Sequence, residues 1–259
     1  MMKKTILILI VALMCGQTAF GWGRRGHEVV IAVAERHLTE KAKANIAKYI
    51  AHDLKKESVW MDEHRRDEDI AYTSAWHVYS TYENHDYDPN PRLYKGDVVH
   101  SLKVSEYNLN DYERLTDSAV VFNLRMVLHF VGDLHCPTHS YPHNSNYKWA
   151  CTLNGKPQKT FHSIYDKMPQ WIWKKTKAAE IAEQIDNASK GEIKKIQRGD
   201  FHDWAKDCAT KSAEIMVWNP IGTETLNPQT VELSRDLVNL QMRNGGYRLA
   251  YLLNKYFGK

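Results

Sequence analysis

Cysteine is scarce in this 259-residue chain, which has four, and none of them stand in the C-x2-C spacing of zinc-thiolate sites. Internal repeats, low-complexity tracts and long Pro/Gly/Ser linkers are also missing, so the chain predicts one sizeable domain. The apolar run at residues 5–14 is too short to span a bilayer. These absences argue against thiolate-bound zinc, a repeat array and a membrane-embedded protein.

The amino terminus has the pattern of a secretory signal peptide. Lys3 and Lys4 give a basic start, residues 5–14 give the apolar core, and small side chains occupy positions 19 and 21. Cleavage after position 21 would leave Trp22 as the first residue. We therefore expect a secreted or periplasmic protein without a membrane anchor, the alternative being an uncleaved anchor.

This interpretation divides the chain into a signal peptide, residues 1–21, and one domain, residues 22–259. The chain has 35 basic and 31 acidic side chains. The signal peptide contains two of the basic ones and none of the acidic ones, so the domain has 33 basic and 31 acidic side chains. Such a near balance excludes a protein that coats nucleic acid through broad electrostatics, so any nucleic-acid chemistry requires a focused site. Three cysteines remain in the domain and allow one disulfide and one free thiol.

Helical periodicity dominates, so the predicted fold class is all-α: one mainly helical domain with long loops and at most a short hairpin. The longest patterns are residues 117–135 and a final helix that ends at residue 257. Residues 75–79 are β-prone and predict an extended stretch, and residues 57–66 predict one short helix. Residues 141–159, rich in proline, glycine and asparagine, predict a long loop with a hairpin.

The helix at residues 117–135 carries His129 and Asp133, one turn apart on one face. Pro137 ends this helix, which lets His139 turn back toward the same face. His-x3-Asp-x5-His is thus a credible set of metal ligands. A lone histidine on an apolar helix is more often a packing residue, and only repetition changes that judgement.

The same pairing of histidine with aspartate recurs elsewhere in the chain. His162 and Asp166 repeat the i, i+4 spacing, Asp62 and His77 lie in a third segment, and His27 lies near the start of the domain. Buried carboxylates are costly unless they are paired or bound to metal. The candidate ligands are enough for three zinc ions: Trp22, His27, Asp62, His77, His129, Asp133, His139, His162 and Asp166.

Five motifs in chain order carry a resemblance to a known family. They are Trp22-Gly23-x-x-Gly26-His27, Trp60-x-Asp62-x-x-Arg65, Trp76-His77, His129-x3-Asp133-x5-His139 and His162-x3-Asp166. Together with Gly246-Tyr247-Arg248-Leu249-Ala250, they resemble the trinuclear-zinc single-strand nucleases, which are the secreted mould nucleases and plant bifunctional nucleases. The resemblance covers nearly all of residues 22–259.

The resemblance implies a fold and roles for the candidate residues. It implies a helical domain with three Zn²⁺ at the base of a cleft. Trp22 would bind one zinc through its α-amine and carbonyl, beside His27, and Asp133 would bridge to the second. The second zinc would also be held by Asp62, His77 and His129, and the third, more exposed ion by His139, His162 and Asp166. Arg65 would neutralise developing charge, and Asp62 would also orient the attacking water.

The implied activity is hydrolysis of single-stranded RNA and DNA and removal of 3′-phosphates from nucleotides, by a protein expected to be a monomer. The substrate side departs from the family's pattern. Where an aromatic and an aspartate commonly contact the base, this chain has Val78 and Ser80, and Lys167 replaces a common asparagine. Tyr79 could restore stacking if the strand turns it inward. Cys136 stands where the family commonly has glutamine.

Two alternatives remain open at this point. The first is the zinc phospholipase C of the same superfamily, acting on choline phospholipids. The spacing of Trp22 from His27 and the identity of Asp166 both argue against it. The second is a zinc-binding protein without turnover, which would need closed sites with four ligands.

Overall fold

The computed structural model describes residues 22–143 and 145–259. The expected signal peptide, with its lysines and apolar core, lies outside the described residues. Among the helices that are described, none combines the length and the apolar character that crossing a membrane requires.

Helices make up most of the described chain, as the periodicity predicts. In chain order they are α1 (Arg24–Glu35), α2 (Glu40–Ala47), α3 (Leu54–Glu57), α4 (Trp60–His64), α5 (Val98–Leu109), α6 (Asp117–Leu134), α7 (His162–Trp173), α8 (Ala178–Ile185), α9 (Lys190–Ile196), α10 (Phe201–Ser212), α11 (Glu214–Trp218), α12 (Thr230–Leu233) and α13 (Arg235–Phe257). The strands are β1 (Tyr79–Thr81), β2 (Tyr87–Asp88), β3 (Ser140–Tyr141), β4 (Cys151–Leu153) and β5 (Lys156–Gln158).

Helix α6 is the central element. It begins where the Thr116 side chain accepts a hydrogen bond from the Ala119 amide, which satisfies one of the free amides of the first turn. Its C-terminal half, from Met126 to Leu134, is buried without interruption. A helix that is buried all round lies inside the core rather than on its surface, so the polar residues of this half face a protein interior.

Helices α1 and α13 pack face to face beside α6. Gly246 makes the approach possible, because a methyl group there would lie 2.4 Å from Cβ of Val33. Arg248 then ties α13 to its neighbours, donating to the Ile196 carbonyl at 3.0 Å and to Asp207 at 2.7 Å. It also donates to Nε2 of His135 at 2.9 Å, at the end of α6. The final helix thereby fixes the end of the helix that carries the candidate ligands.

Two expectations for local structure need correction. The stretch predicted as extended is a 3₁₀ turn at Ala71–His77, and the strand begins only at Tyr79. The helix predicted at residues 57–66 is two short ones, α3 and α4, with a break between them. Aromatic side chains favour strands, but here contacts within the fold outweigh that preference.

The strands form two small sheets. The hairpin of β4 and β5 agrees with the prediction for residues 141–159. A second sheet, in the order β2-β1-β3, was not predicted. In it Ser80 pairs with Asp88 on one side and with Tyr141 on the other. Strands of two or three residues are too short to leave an alternating pattern in the sequence.

The disulfide that the sequence would allow is absent from the described residues. Cys136, Cys151 and Cys208 are all buried and all free. Buried thiols pack as small apolar groups, so burial alone explains two of them. Cys136 has a different environment, described below.

Candidate metal centre

The centre is organised by His129 and Asp133 on the buried half of α6. Nε2 of His129 lies 3.0 Å from Oδ2 of Asp133. The other ring nitrogen, Nδ1, donates to the Ser58 carbonyl at 2.7 Å, a carbonyl located in the break between α3 and α4. That hydrogen bond orients the ring so that Nε2 faces the carboxylate. Burial lowers the pKa of His129, but the charge of Asp133 outweighs burial and raises it to about 9, so a metal ion binds Nε2 by displacing a proton.

A first group of candidate ligand atoms belongs to His27, His129 and Asp133, and these atoms all lie within 4.8 Å of one another. The rings of His27 and His129 stack with their centroids 4.2 Å apart. Gly132 makes room for this stack, since a methyl group there would lie 2.6 Å from Nδ1 of His27. The oxygens of Asp133 face three imidazoles: Oδ2 faces His129, while Oδ1 lies 3.5 Å from Nε2 of His27 and 3.4 Å from Nδ1 of His139.

Trp22 brings the start of the described chain to this group. Its side chain is wholly buried, and its main-chain N–H lies beside the carboxylate of Asp133, where it partly opposes the rise in pKa that burial causes. A methyl group at Gly26 would lie 2.7 Å from Cβ of Trp22, so only glycine fits there. The next residue, Gly23, donates its N–H to the carbonyl of Asp166 at 2.7 Å. The nitrogen of Trp22 therefore lies at the carboxylate that three histidines surround.

A second group shares His129 with the first and adds Asp62 and His77. Oδ1 of Asp62 lies 3.4 Å from Nε2 of His77 and 4.0 Å from Nε2 of His129. The side chain of Asp62 is 19% exposed, whereas the carboxylates of Asp133 and Asp166 are wholly buried. Asp62 is therefore the carboxylate of the three that solvent or a substrate can reach.

The third group lies where α7 meets the turn after α6. Oδ1 of Asp166 is 3.7 Å from Nε2 of His139 and 3.5 Å from Nε2 of His162. The structure also brings Cys136 to His139 and Asp166, with all three ligand atoms within 4.8 Å of one another. Sequence reasoning did not place Cys136 among the candidate ligands, although its position three residues before His139 was a usable signal.

Several candidate ligand atoms in these groups are buried without a hydrogen-bond partner among the described residues. Neither ring nitrogen of His27 and neither oxygen of Asp166 has a hydrogen-bond partner among the described residues. Burial lowers the pKa of His27 and raises the pKa of Asp166. Burial, only partly opposed by His129, also raises the pKa of Asp62 to about 7. Burying so many polar atoms without hydrogen bonds costs free energy, and such an arrangement is expected only where cations bind these atoms.

Arg65 lies at the edge of the second group. One of its terminal nitrogens, Nη1, is 3.7 Å from Oδ1 of Asp62, one helical turn earlier. Its side chain is 11% exposed, so the guanidinium is shielded but still reaches the surface of the site. It therefore places a fixed positive charge next to the exposed carboxylate.

The four residues predicted to contact substrate differ in exposure. Val78 is buried, at 8% exposure, and Tyr79 is wholly buried with its hydroxyl donating to the Ala205 carbonyl at 3.0 Å. The ring of Tyr79 therefore has no exposed face for a base. Ser80 lines a cavity, and Lys167 is exposed on α7, directly after Asp166.

The cavity beside Ser80 has a volume of about 830 Å³. Its walls include two cations, Arg92 and Lys148, and two aromatic rings, Tyr141 and Trp149. The Arg92 guanidinium lies 5.4 Å from the centre of the Tyr141 ring. That ring is in turn 6.1 Å from the ring of His162, so the cavity adjoins the third group. None of these four residues was predicted, because they come from short or irregular segments that leave no periodic pattern in the sequence.

A sequence model of the S1/P1 nucleases matches residues 22–258. The chain belongs to the S1/P1 nuclease family. Endonuclease 2 of Arabidopsis thaliana is 23% identical to it, over 98% of this chain and 96% of its own length. Nuclease P1 of Penicillium citrinum is 26% identical, over 92% of this chain and 98% of its own length. Endonuclease 4 of Arabidopsis thaliana is 25% identical, over 92% of this chain and 90% of its own length.

The S1/P1 match includes every segment that contributes to the three groups. It begins at Trp22 and continues beyond Arg248 on α13. The family resemblance inferred from five motifs and the all-α fold inferred from periodicity are both confirmed. Like the nucleases it resembles, this chain is an enzyme of the nuclease class. Its buried histidines and aspartates form clusters that could bind metal.

Proposed function

We propose that this protein is a zinc-dependent nuclease that cleaves single-stranded RNA and DNA and removes 3′-phosphates from nucleotides. One observation supports the proposal above the others. Asp133 is wholly buried, with its two oxygens facing two different imidazoles and the nitrogen of Trp22 beside them. A carboxylate in that position fits a bridge between two metal ions, the arrangement common in phosphodiester hydrolysis.

The donor atoms fit zinc, and their grouping fits three ions. Imidazole nitrogens and carboxylate oxygens are donors that zinc accepts. Trp22, His27 and Asp133 would hold the first ion, and Asp62, His77 and His129 would join Asp133 around the second. His139, His162 and Asp166 would hold the third. Three carboxylates do not balance three divalent ions, so the site would stay positive and suit an anionic phosphate.

The chain's own residues would then act around the substrate. Bound zinc polarises phosphoryl oxygens and lowers the pKa of a bound water to about 7. Asp62, the exposed carboxylate, is placed to accept a hydrogen bond from the attacking water and to orient it. Arg65 is placed to neutralise charge that develops on phosphate oxygens, an effect that is strong in a partly dry site. Lys167 adds a cation beside the third group.

Export is part of the proposal. Removal of residues 1–21 would give a secreted or periplasmic protein whose first residue is Trp22, which acts as a monomer on single-stranded nucleic acid. The phospholipase alternative is weakened by the match to a nuclease model over residues 22–258. The alternative without turnover is weakened by the exposure of Asp62, because a closed structural site would bury that carboxylate.

A direct test compares substrates on the mature protein. Initial rates are measured on single-stranded RNA and DNA, a 3′-nucleotide, matched duplex and phosphatidylcholine. We expect hydrolysis of the first three, little of the duplex, none of the lipid, loss of activity with a chelator and recovery with zinc but not magnesium. Hydrolysis of the lipid alone would establish the phospholipase, and bound zinc without turnover would establish a binding protein.

The nitrogen of Trp22 leads to a prediction about processing. An α-amine has a pKa of about 8, so zinc can displace its proton near neutral pH, whereas an amide nitrogen offers no such lone pair. A protein that keeps Gly21 ahead of Trp22 should therefore bind about one zinc fewer and lose most of its activity. Metal analysis and rates are compared with protein that starts at Trp22. Full zinc content and full rate in the extended protein would rule out the amine as a ligand.

The cavity beside Ser80 leads to a prediction about selectivity. A base stacked on an aromatic side chain gains ~1–3 kcal/mol. The positions expected to supply that ring are buried, and the rings that line the cavity, Tyr141 and Trp149, would stack on any base. Arg92 and Lys148 instead present charge to the phosphate backbone. We expect less than about tenfold preference among homopolymers of the four bases, and binding that weakens as salt rises.

Removing one of the cavity's cations tests this assignment. Arg92→Gln should remove about one phosphate contact, so the slope of log KM against log salt should fall by about 1. Base preference should not change. Arg114→Gln is the matched control, because Arg114 is exposed and precedes the far end of α6. A preference for one base beyond about tenfold, or equal salt dependence in Arg92→Gln and wild type, would show that the cavity does not hold the backbone.

A further inference from the structure

Cys136 is a free thiol buried in the core, and unlike the other two cysteines it lies beside two candidate metal ligands. The residue is 1% exposed and stands directly before the 3₁₀ turn Pro137–His139 that carries His139 into the site. Its main-chain N–H donates to the carbonyl of Asp133 at 3.0 Å, which holds the residue at the end of α6. The thiol is thereby fixed in the same turn as one candidate ligand and next to the helix that carries another.

The surroundings of the sulfur are those of a metal ligand. Sγ of Cys136, a ring nitrogen of His139 and an oxygen of Asp166 all lie within 4.8 Å of one another. Zinc binds sulfur at about 2.3 Å and nitrogen at about 2.0–2.1 Å, so two ligands of one tetrahedral ion are roughly 3.5 Å apart. A single ion would bind all three atoms if they closed to that separation from at most 4.8 Å.

The hydrogen-bond inventory of the group points the same way. Both oxygens of Asp166 are wholly buried and lack a hydrogen-bond partner among the described residues. The polar contact recorded for Sγ is with Oγ1 of Thr138 at 3.8 Å, which is weak for a thiol. A buried carboxylate next to a weakly bonded thiol is unfavourable unless a cation is shared between them.

We propose that Cys136 is a thiolate ligand of the metal ion held by His139, His162 and Asp166. This inference rests on the third metal site of the proposed function. On binding, a bond forms between sulfur and the metal, the S–H bond breaks, and the proton passes to solvent. The ion then has four protein ligands, one of them soft, which is the composition of a firmly held zinc site.

The three metal sites would then differ in function. The two groups that share His129 keep Asp62 and its exposed oxygen, and they face the substrate. The third ion, closed by the thiolate, becomes the one most slowly lost to a chelator and the one with the strongest preference for thiophilic metals such as cadmium. It can still gain a fifth ligand during turnover, as zinc sites with four ligands do.

Cobalt(II) provides a readout that is independent of activity. A thiolate bound to cobalt gives a charge-transfer band in the near ultraviolet, which histidine and carboxylate ligands do not give. We expect this band in the cobalt-loaded mature wild type and its loss in Cys136→Ser. Cys151→Ser is the matched control, since Cys151 is also a buried free thiol but belongs to none of the three ligand groups, and it should keep the band.

A second variant guards against misfolding of Cys136→Ser. In the double variant Cys151→Ser, Cys208→Ser, Cys136 is the sole thiol of residues 22–259, and the band should persist. We also expect Cys136→Ser to lose its most slowly released zinc at least about tenfold faster to a chelator, similar to the loss of other groups that support metal ligands. No band in wild type, or a band that survives Cys136→Ser, would overturn the proposal.

Rates measured in parallel separate this inference from the proposed function. A wild type that shows the band but hydrolyses no nucleic acid would refute the nuclease function and leave Cys136 as a ligand. A wild type that hydrolyses single strands without the band would refute the thiolate ligand and leave the function intact.

Discussion

Asp133→Asn is expected to remove more than one zinc per chain and to abolish nuclease activity. The substitution keeps the size of the side chain and removes the charge from a residue whose two oxygens face His27 and His129. An amide offers one weaker donor atom and cannot serve two ions. Since zinc binds the folded state, its loss also removes a stabilisation that reaches ~4 kcal/mol when zinc exceeds its Kd a thousandfold.

The size of the stability change should depend on metal. With zinc present, Asp133→Asn should lower the melting temperature. With a chelator present the change in melting temperature should be much smaller, because no bound zinc is then lost. Asp117→Asn, an exposed aspartate at the start of the same helix, is the matched control and should behave as wild type in both conditions. If Asp133→Asn still bound three zinc ions, Asp133 would not be a bridge between two of them.

Arg65→Ala should have the second largest effect, a loss of about 10²-fold in rate with zinc content unchanged. That loss corresponds to ~2.7 kcal/mol of transition-state stabilisation. Arg65 lies 3.7 Å from the exposed carboxylate of Asp62 and is itself shielded from solvent, so its charge is only weakly screened. Because it would act on charge that develops during the reaction, the decrease should appear in kcat.

Two further variants define what Arg65 does. Arg65→Lys keeps the charge but not the planar fork and should recover only part of the rate. Arg66→Ala, at the next and exposed position, is the control and should retain nearly full activity. An Arg65→Ala enzyme that loses affinity in KM at normal kcat would instead identify Arg65 as a group that binds substrate and transition state equally.

The candidate ligands could be predicted because their spacing follows local rules. His129 and Asp133 must share a face of any helix that contains both, and the same holds for His162 and Asp166. Pro137 predicts the end of α6, which the structure places at Leu134. None of these inferences requires knowledge of how the helices pack, and the structure places all the predicted ligands in three neighbouring groups.

The substrate side could not be predicted for a complementary reason. Whether Val78 or Ser80 faces the site depends on the register of a three-residue strand, which is set by pairing with Asp88 and Tyr141 rather than by local sequence. Arg92 reaches the cavity from a loop, and no periodic pattern precedes it. The Ser58 carbonyl is free to accept the hydrogen bond that orients His129 because the chain is not helical between α3 and α4.

The two ends of the domain differ in a way that matters for producing the protein. The nitrogen of Trp22 lies at Asp133 in the interior, whereas Lys259 is exposed beyond the end of α13. A purification tag or an initiator methionine placed before Trp22 turns the proposed amine ligand into an amide. A tag after Lys259 leaves the metal centre untouched. Recombinant material intended for metal analysis should therefore carry its tag at the carboxyl end and begin at Trp22, through a leader or protease that leaves no residue behind.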